Sequence, residues 1–315
     1  MKKHATYIVS TCMLLMLTAC EKKLDIASVS NLTNATYYKT PEDAKAALGA
    51  CYKFMGVLDP FADLVMSDDA VPFLSGAADR VTLWRYNLTP SNVFFAVYAG
   101  AYAGINRSNI VIDRVPGITM DEALKERYIA EAKVLRALHY FNLVRLFGGV
   151  PISIKETAAL EGLNAPRNTA DEVYALIEKD LKEAEGVLPP RYNAADAGRM
   201  TSGAAKGLLA KVYLTRAGST KSSPFWAQAA AKAKEVIDQG VYDLYDNYAD
   251  AFALSARGGK ENMIEMQYLT DVYGHGLGRG YGPRSAPIFP GVAPPLPVLP
   301  RAFLTVTPLT ISGKP

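Results

Sequence analysis

A helical pattern in the middle of the chain limits the folds that are open to it. The segment "DEALKERYIAEAKVLRALHYFNLVRLF" covers residues 121–147 and ends at Gly148-Gly149, with Pro151 preventing its continuation. Apolar residues lie around more than one side of this helix, namely Ala132, Val134, Leu135, Leu138, Tyr140, Phe141, Val144 and Phe147. A helix that is apolar on several sides packs against several neighbours, which predicts a body built of many helices.

Start signals for further helices recur along the chain, whereas strand signals are scarce. Thr40-Pro41 and Thr89-Pro90 place a capping threonine before a proline at the first helical position. Thr169 is followed three residues later by Glu172, which predicts a capping box for a helix that ends before Pro189-Pro190.

Two more helices, 201–216 and 224–239, are predicted to form a hairpin. The facing sets are Ala204, Ala205, Leu208, Leu209 and Val212 on one helix and Ala229, Ala230, Ala233, Val236 and Ile237 on the other. The pair is close to the tetratricopeptide unit of about 34 residues. Because the spacing elsewhere is irregular, the prediction is a mainly all-α, tetratricopeptide-like scaffold of helical hairpins with long loops. Weak alternation in "ENMIEMQY" (261–268) adds a short strand as minor β structure.

The N-terminus has the pattern of an export signal. Lys2, Lys3 and His4 precede an apolar stretch, 5–17, that ends in Leu-Thr-Ala-Cys at 17–20. The stretch would rise only about 20 Å as a helix, too little for a hydrocarbon core of about 30 Å. Leu-Thr-Ala-Cys resembles a bacterial lipobox, in which Cys20 would carry acyl chains and become the first mature residue. The alternative is an ordinary signal peptide with a chance cysteine.

The net charge and the cysteine content limit which partners and which cysteine chemistry the protein can have. The formal net charge of +3 depends on Lys2, Lys3 and the basic residues of 274–315, and elsewhere acids outnumber bases. This balance predicts no nucleic-acid partner. With Cys12 removed and Cys20 acylated, Cys51 would be the last thiol, so no intrachain disulfide is expected. Its apolar helical surroundings predict a small buried residue and no nucleophile.

The sequence contains no motif that points to catalysis, a cofactor or a metal. His139 falls in the apolar helix and is predicted to be a core histidine with its hydrogen bonds satisfied. No paired histidine or cysteine spacing typical of zinc, no phosphate loop and no nucleophile elbow occurs in the sequence. Asp68-Asp69 could suggest a pair of catalytic acids, but solvated loop acids are the favoured interpretation. The glycine-rich 274–283 is interpreted as a flexible loop.

The segment 58–88 is predicted to be a long loop between the first two helices. It carries a mixture of acidic, basic, amide and aromatic side chains, namely Asp68, Asp69, Arg80, Trp84, Arg85, Tyr86 and Asn87. Loops of this length are usually functional or disordered, and aromatic content argues against disorder.

Four segments together resemble the SusD/RagB family of outer-membrane nutrient-binding lipoproteins of the Bacteroidetes. They are the lipobox, "YYKTPEDAKAALGACY" (37–52), "AEAKVLRALHYFNLVRLFGGVPI" (130–152) and "TSGAAKGLLAKVYLTRA" (201–217). The resemblance implies a tetratricopeptide-like scaffold whose loops bind a nutrient, typically a glycan. It also implies a location at the outer membrane facing outwards, and a SusC-like TonB-dependent transporter as partner.

Within this resemblance, loop 58–88 is the predicted ligand site. Trp84 and Tyr86 would be platforms for sugar faces, and the hydroxyl partners would be Asp68, Asp69, Arg80 and Asn87. Trp84 could instead only pin the loop to the scaffold. The leading prediction is a nutrient-binding protein that is not an enzyme. The alternative is a helical protein–protein adaptor without a sugar site. A third hypothesis is a glycoside hydrolase.

The predicted organisation has four parts. Residues 1–19 are a lipoprotein signal peptide and 20–218 a SusD-like N-terminal helical domain. Residues 219–273 continue the helical hairpins and begin the family's C-terminal region. Residues 274–315, rich in proline and glycine and without acids, match neither the family nor a globular pattern. They are predicted to be an unfolded tail from a truncated, frameshifted or misassembled reading frame.

Overall fold

The computed structural model describes residues 37–57, 82, 85–87, 93–157, 165–253, 256 and 258–266. These residues form six α-helices: α1 (Pro41–Lys53), α2 (Val93–Arg114), α3 (Glu122–Phe147), α4 (Ala170–Glu185), α5 (Ser202–Ala217) and α6 (Phe225–Asp238). Short 3₁₀ helices occur at Phe54–Val57, Val115–Gly117, Ala194–Asp196 and Tyr248–Phe252. None of the helices described here combines the length and the apolar character that a bilayer span requires.

Side chains at the predicted positions start the helices. The Thr40 hydroxyl accepts a hydrogen bond from the Asp43 amide, and the Asp43 carboxylate accepts one from the Thr40 amide, which completes a capping box. Thr169 and Glu172 form the same reciprocal pair at α4. Asp121 caps α3 through the Leu124 amide, at 2.8 Å. The predicted Thr89-Pro90 start lies outside the described residues, and α2 is described from Val93.

The long helix α3 lies at the centre of this body. It packs between α2 and α4, α1 packs on α2, and α5 packs between α4 and α6. Its buried positions surround the helix, as predicted, and include Ala132, Val134, Leu135, Tyr140, Phe141 and Val144. Each helix thus packs mainly on its neighbours in the chain, which confirms the tetratricopeptide-like arrangement of stacked helical pairs.

A buried ion pair connects α3 to α4. The Arg136 guanidinium donates two hydrogen bonds to the Asp180 carboxylate, both at 2.8 Å, and a third to the side-chain oxygen of Asn109 on α2. The amide group of Asn109 in turn donates to the backbone oxygens of Ser153 and Lys155. Asn109 is therefore a buried amide with its hydrogen bonds formed. These hydrogen bonds hold residues 153–155, which follow α3, against α2.

A second buried carboxylate, Glu131, joins α1 to the connection between α4 and α5. It is fully buried and accepts hydrogen bonds from the hydroxyl of Tyr52 at 2.6 Å and from Arg199 at 3.2 Å. The Tyr52 oxygen also accepts a hydrogen bond from the Met200 amide. Burial raises the pKa of Glu131, and the hydrogen bond from Tyr52 opposes that rise.

Two details differ from the sequence predictions. Residues 261–266 form turns and bends, so the predicted strand is wrong there, and the described residues contain no strand. The side-chain amide of Asn262 donates to the backbone oxygen of Ala256, which folds this segment back on itself locally.

On α6, Ala229 and Val236 are buried, but Ala230 and Ala233 are exposed and Ile237 is 74% exposed. The reason is that α6 has only α5 as a major helical neighbour in the described part.

Candidate functional site

The predicted loop site is only partly within the described residues. Cys20, Asp68, Asp69, Arg80 and Trp84 lie outside them. Tyr86 and Asn87 are described, and they form one turn in which the Asn87 amide donates to the backbone oxygen of Thr82 at 3.0 Å. An aromatic and an amide side chain therefore lie next to each other on this turn.

Much of the Tyr86 side chain is exposed to solvent. The residue is 66% exposed, and its backbone φ is +53°, a left-handed value that a bulky residue rarely adopts. Asn87 is also exposed. A turn that holds a large aromatic side chain in this unfavourable conformation and exposes it is typical of binding loops, where strain clusters.

Cys51 is buried, as predicted. The thiol is fully inaccessible, lies 3.5 Å from the backbone oxygen of Ala47, and has its pKa raised to about 12 by burial. A thiol that is neutral and inaccessible acts as a small apolar side chain and has no nucleophilic role.

The prediction for His139 is half right. The side chain is fully buried, but neither ring nitrogen has a hydrogen-bond partner among the described residues, so the predicted hydrogen bonds are not found there. Burial lowers its pKa to about 4, and the ring is neutral at physiological pH. It packs so tightly on Gly104 of α2 that a methyl group there would overlap the imidazole. No cluster of three or more potential metal-binding His, Cys, Asp or Glu side chains is found in the described ranges.

A cavity that the sequence analysis missed lies beside α1. We call it the tyrosine cleft; its volume is about 300 Å³ and it is lined by Tyr37, Tyr38, Ala46, Ala47, Ala50, Lys53, Phe54, Arg107 and Ile110. The Tyr37 and Tyr38 rings meet edge to face with centroids 4.6 Å apart. The adjacent tyrosines before a capping threonine were a possible signal, but only the fold brings Arg107 to them.

A second cavity of about 290 Å³ lies between the connection before α5 and the segment after α6. Its wall carries charges of both signs, including Arg191, Arg199, Lys260 and Glu265. These groups are largely engaged within the protein. Arg191 donates to the backbone oxygen of Val241, and Glu265 accepts from the Gly258 amide.

The architecture and these surfaces define the class of protein: a tetratricopeptide-like helical scaffold that exposes aromatic and polar side chains from loops and clefts. A family model of the SusD-like group, described as "Starch-binding associating with outer membrane", matches residues 67–214. The match includes the whole central helix α3 and the Tyr86–Asn87 turn.

Individual relatives agree with the family match. The chain is 30% identical over 285 residues to a SusD-like protein of Bacteroides ovatus, an alignment that covers 85% of this chain and 50% of the relative. It is 34% identical over 174 residues to the starch-binding protein SusD of Bacteroides thetaiotaomicron, covering 55% and 29% respectively. The solved structure of a laminarin-binding SusD-like protein superposes with a TM-score of 0.66 at 32% identity, covering 72% of this chain and 51% of that one.

The chain belongs to the SusD-like family. It spans about half the length of the Bacteroides ovatus relative. The sequence resemblance to this family, and the helical scaffold that it implied, are both confirmed.

Proposed function

We propose that this chain is a glycan-binding protein that Cys20 anchors through lipid to the outer membrane, facing outwards, and that delivers oligosaccharide to a SusC-like TonB-dependent transporter. The family description, the starch-binding relative and the laminarin-binding structure support glycan as the ligand class. The lipobox-like Leu-Thr-Ala-Cys at 17–20 supports the anchor. Two or three acyl chains at Cys20 would hold the protein stably, whereas one chain would hold it only marginally.

The exposed Tyr86 ring beside Asn87 is the observation that carries this proposal. A sugar ring has an apolar C–H face and a polar rim, so it suits an aromatic platform with amide, carboxylate or guanidinium groups beside it. In the proposed site Trp84 is a second platform, and Asp68, Asp69, Arg80 and Asn87 bond the hydroxyl groups. The protein binds and releases its ligand without cleaving it, as the names of its relatives as binding proteins suggest.

The test is calorimetric titration with a laminarin-derived oligosaccharide. We expect Tyr86→Ala and Trp84→Ala each to weaken binding at least tenfold, because an aromatic anchor at the centre of a site often contributes about 2 kcal/mol or more. Tyr248→Ala is the matched control, since Tyr248 is 71% exposed but lies far along the chain after α6. Unchanged affinity in both loop variants, with helix content retained, would contradict the proposed site.

A second candidate function is a helical adaptor for another protein. The observation in its favour is the set of exposed apolar side chains on and after α6, which includes Ile237, Leu244, Tyr248 and Phe252. This alternative predicts no glycan binding by the wild-type protein in the same titration.

A further inference from the structure

The tyrosine cleft has the shape of a site for one ring of a ligand. Its volume of about 300 Å³ is at the lower end of the range for small-molecule pockets. Three alanines of α1, Ala46, Ala47 and Ala50, form one side and occupy little of the space, and Lys53 lines it at the end of the same helix. Tyrosine rings and Phe54 supply aromatic surface, which suits the apolar face of a sugar.

The aromatic wall is preorganised. Tyr38 has a left-handed φ of +66°, and the next two amides, of Lys39 and Thr40, both donate to the Asp43 carboxylate at 3.0 Å. These bonds fix the direction from which the chain enters α1. The Arg114 guanidinium lies 5.5 Å from the Tyr38 ring centroid and adds a cation–π contact. A wall that is already ordered loses little entropy when a ligand binds.

The cleft also carries positive charge that the described residues do not neutralise. Lys53 and Arg107 line it, both are exposed, and neither forms an ion pair with a described residue. None of the described residues that line the cleft is acidic. Arg114 differs, because its guanidinium is held by Glu156 at 2.7 Å and is not free for a ligand. Of the two acids of α1, Asp43 is occupied by the two backbone amides, and Glu42 is not among the residues that line the cleft.

We propose that the tyrosine cleft binds a sugar unit with an anionic substituent, either a carboxylate or a sulfate. The Arg107 fork and the Lys53 ammonium would contact the anionic group, and the tyrosines would contact the ring. Positive charge in a concave site attracts such a ligand more strongly than the same charge on a flat surface. A membrane headgroup is the weaker alternative, since a recessed cavity suits a single ring better than a flat bilayer. The proposal rests on glycan as the ligand class, but it concerns a different site from loop 58–88.

The test measures binding of three oligosaccharides of equal length: an oligogalacturonate, a sulfated oligosaccharide and a neutral laminarin fragment. We expect the wild type to bind at least one anionic oligosaccharide, with affinity that falls as salt is raised. The double variant Lys53→Gln/Arg107→Gln should lose tenfold or more of that affinity and keep its affinity for the neutral fragment. Whichever anionic probe binds identifies the substituent as carboxylate or sulfate.

Lys45→Gln is the matched control, because Lys45 is an exposed lysine of α1 that does not line the cleft. It should bind the anionic probe as the wild type does. No binding of either anionic probe, or equal binding by the double variant, would overturn the proposal. So would a wild type that binds anionic phospholipid vesicles through Lys53 and Arg107 but neither anionic probe. Failure of the loop site would be seen separately, as unchanged binding of the neutral fragment by Tyr86→Ala and Trp84→Ala.

Discussion

Two buried polar side chains on α3, Arg136 and His139, lie three residues apart and are treated in opposite ways by the fold. Arg136 is charged, and α2 and α4 surround it with acceptors: the Asp180 carboxylate and the Asn109 amide oxygen. His139 is neutral and has no partner among the described residues. Both side chains are nearly or completely inaccessible, so burial alone does not account for the difference.

The difference follows from the free energy of burying each group. An ionised side chain without a partner in the interior is far too costly, so Arg136 requires its carboxylate. Histidine can instead release its proton, and the lowered pKa of about 4 shows that burial selects the neutral ring. A neutral imidazole without hydrogen bonds still costs free energy, but tight packing on Gly104 is compatible with it.

The largest expected effect comes from leaving Arg136 charged and unpaired. Asp180→Ala should lower the free energy of unfolding by about 3–5 kcal/mol, measured by urea denaturation at neutral pH. Asp171→Ala is the matched control on the same helix: this carboxylate contacts Arg216 at 3.1 Å and is 88% exposed. It should cost about 1 kcal/mol or less. If the two variants lost the same free energy of unfolding, the buried partner of Arg136 would be no more important for stability than the exposed partner of Arg216.

The next effect concerns pH. His139 has a pKa of about 4 in the fold against an ordinary value of 6.5, so between these values the unfolded chain binds more protons than the native one. Stability from this group is therefore fully present above about pH 6.5 and is lost as pH falls to 4. The loss amounts to about 3 kcal/mol.

Replacing the imidazole should remove this dependence. In His139→Leu the free energy of unfolding should fall less steeply than in the wild type between pH 7 and pH 4, as urea denaturation at each pH would show. Parallel pH profiles for the two proteins would mean that the pKa of His139 is the same in the folded and the unfolded chain.

The smallest effect tests the packing between His139 and α2. Gly104→Ala should destabilise the protein by about 1–3 kcal/mol, because the added methyl group meets the imidazole. Adding His139→Ala in the same chain should recover part of that loss, which appears as a coupling energy in a double-mutant cycle. Gly49→Ala on α1 is the control: a methyl group there has open space, and alanine favours the helix. No coupling between positions 104 and 139 would refute the contact.

The helix boundaries were the part of the fold most accessible from sequence. Thr40, Asp121 and Thr169 act within three residues of themselves, and the bonds expected of such caps are present. The short strand failed because weak alternation over eight residues does not specify pairing without a partner strand. The candidate sites were less accessible. Loop 58–88 was predicted as a site from its composition. The tyrosine cleft combines Tyr38 with Arg107, residues that only the packing of α1 on α2 brings together.

The amino-acid sequence alone determined the helical character, the caps, the family and the burial of His139 on α3, because these depend on local hydrogen bonds and on the helical repeat of apolar residues. Only the tertiary structure decided which polar residue has a partner and which apolar residue remains exposed. Ile237 fits the apolar pattern of α6 and is nevertheless exposed, because in the described part α6 has one major helical neighbour. Burial is a property of neighbours distant in the chain, and a periodic pattern predicts which face can be buried without specifying what will cover it.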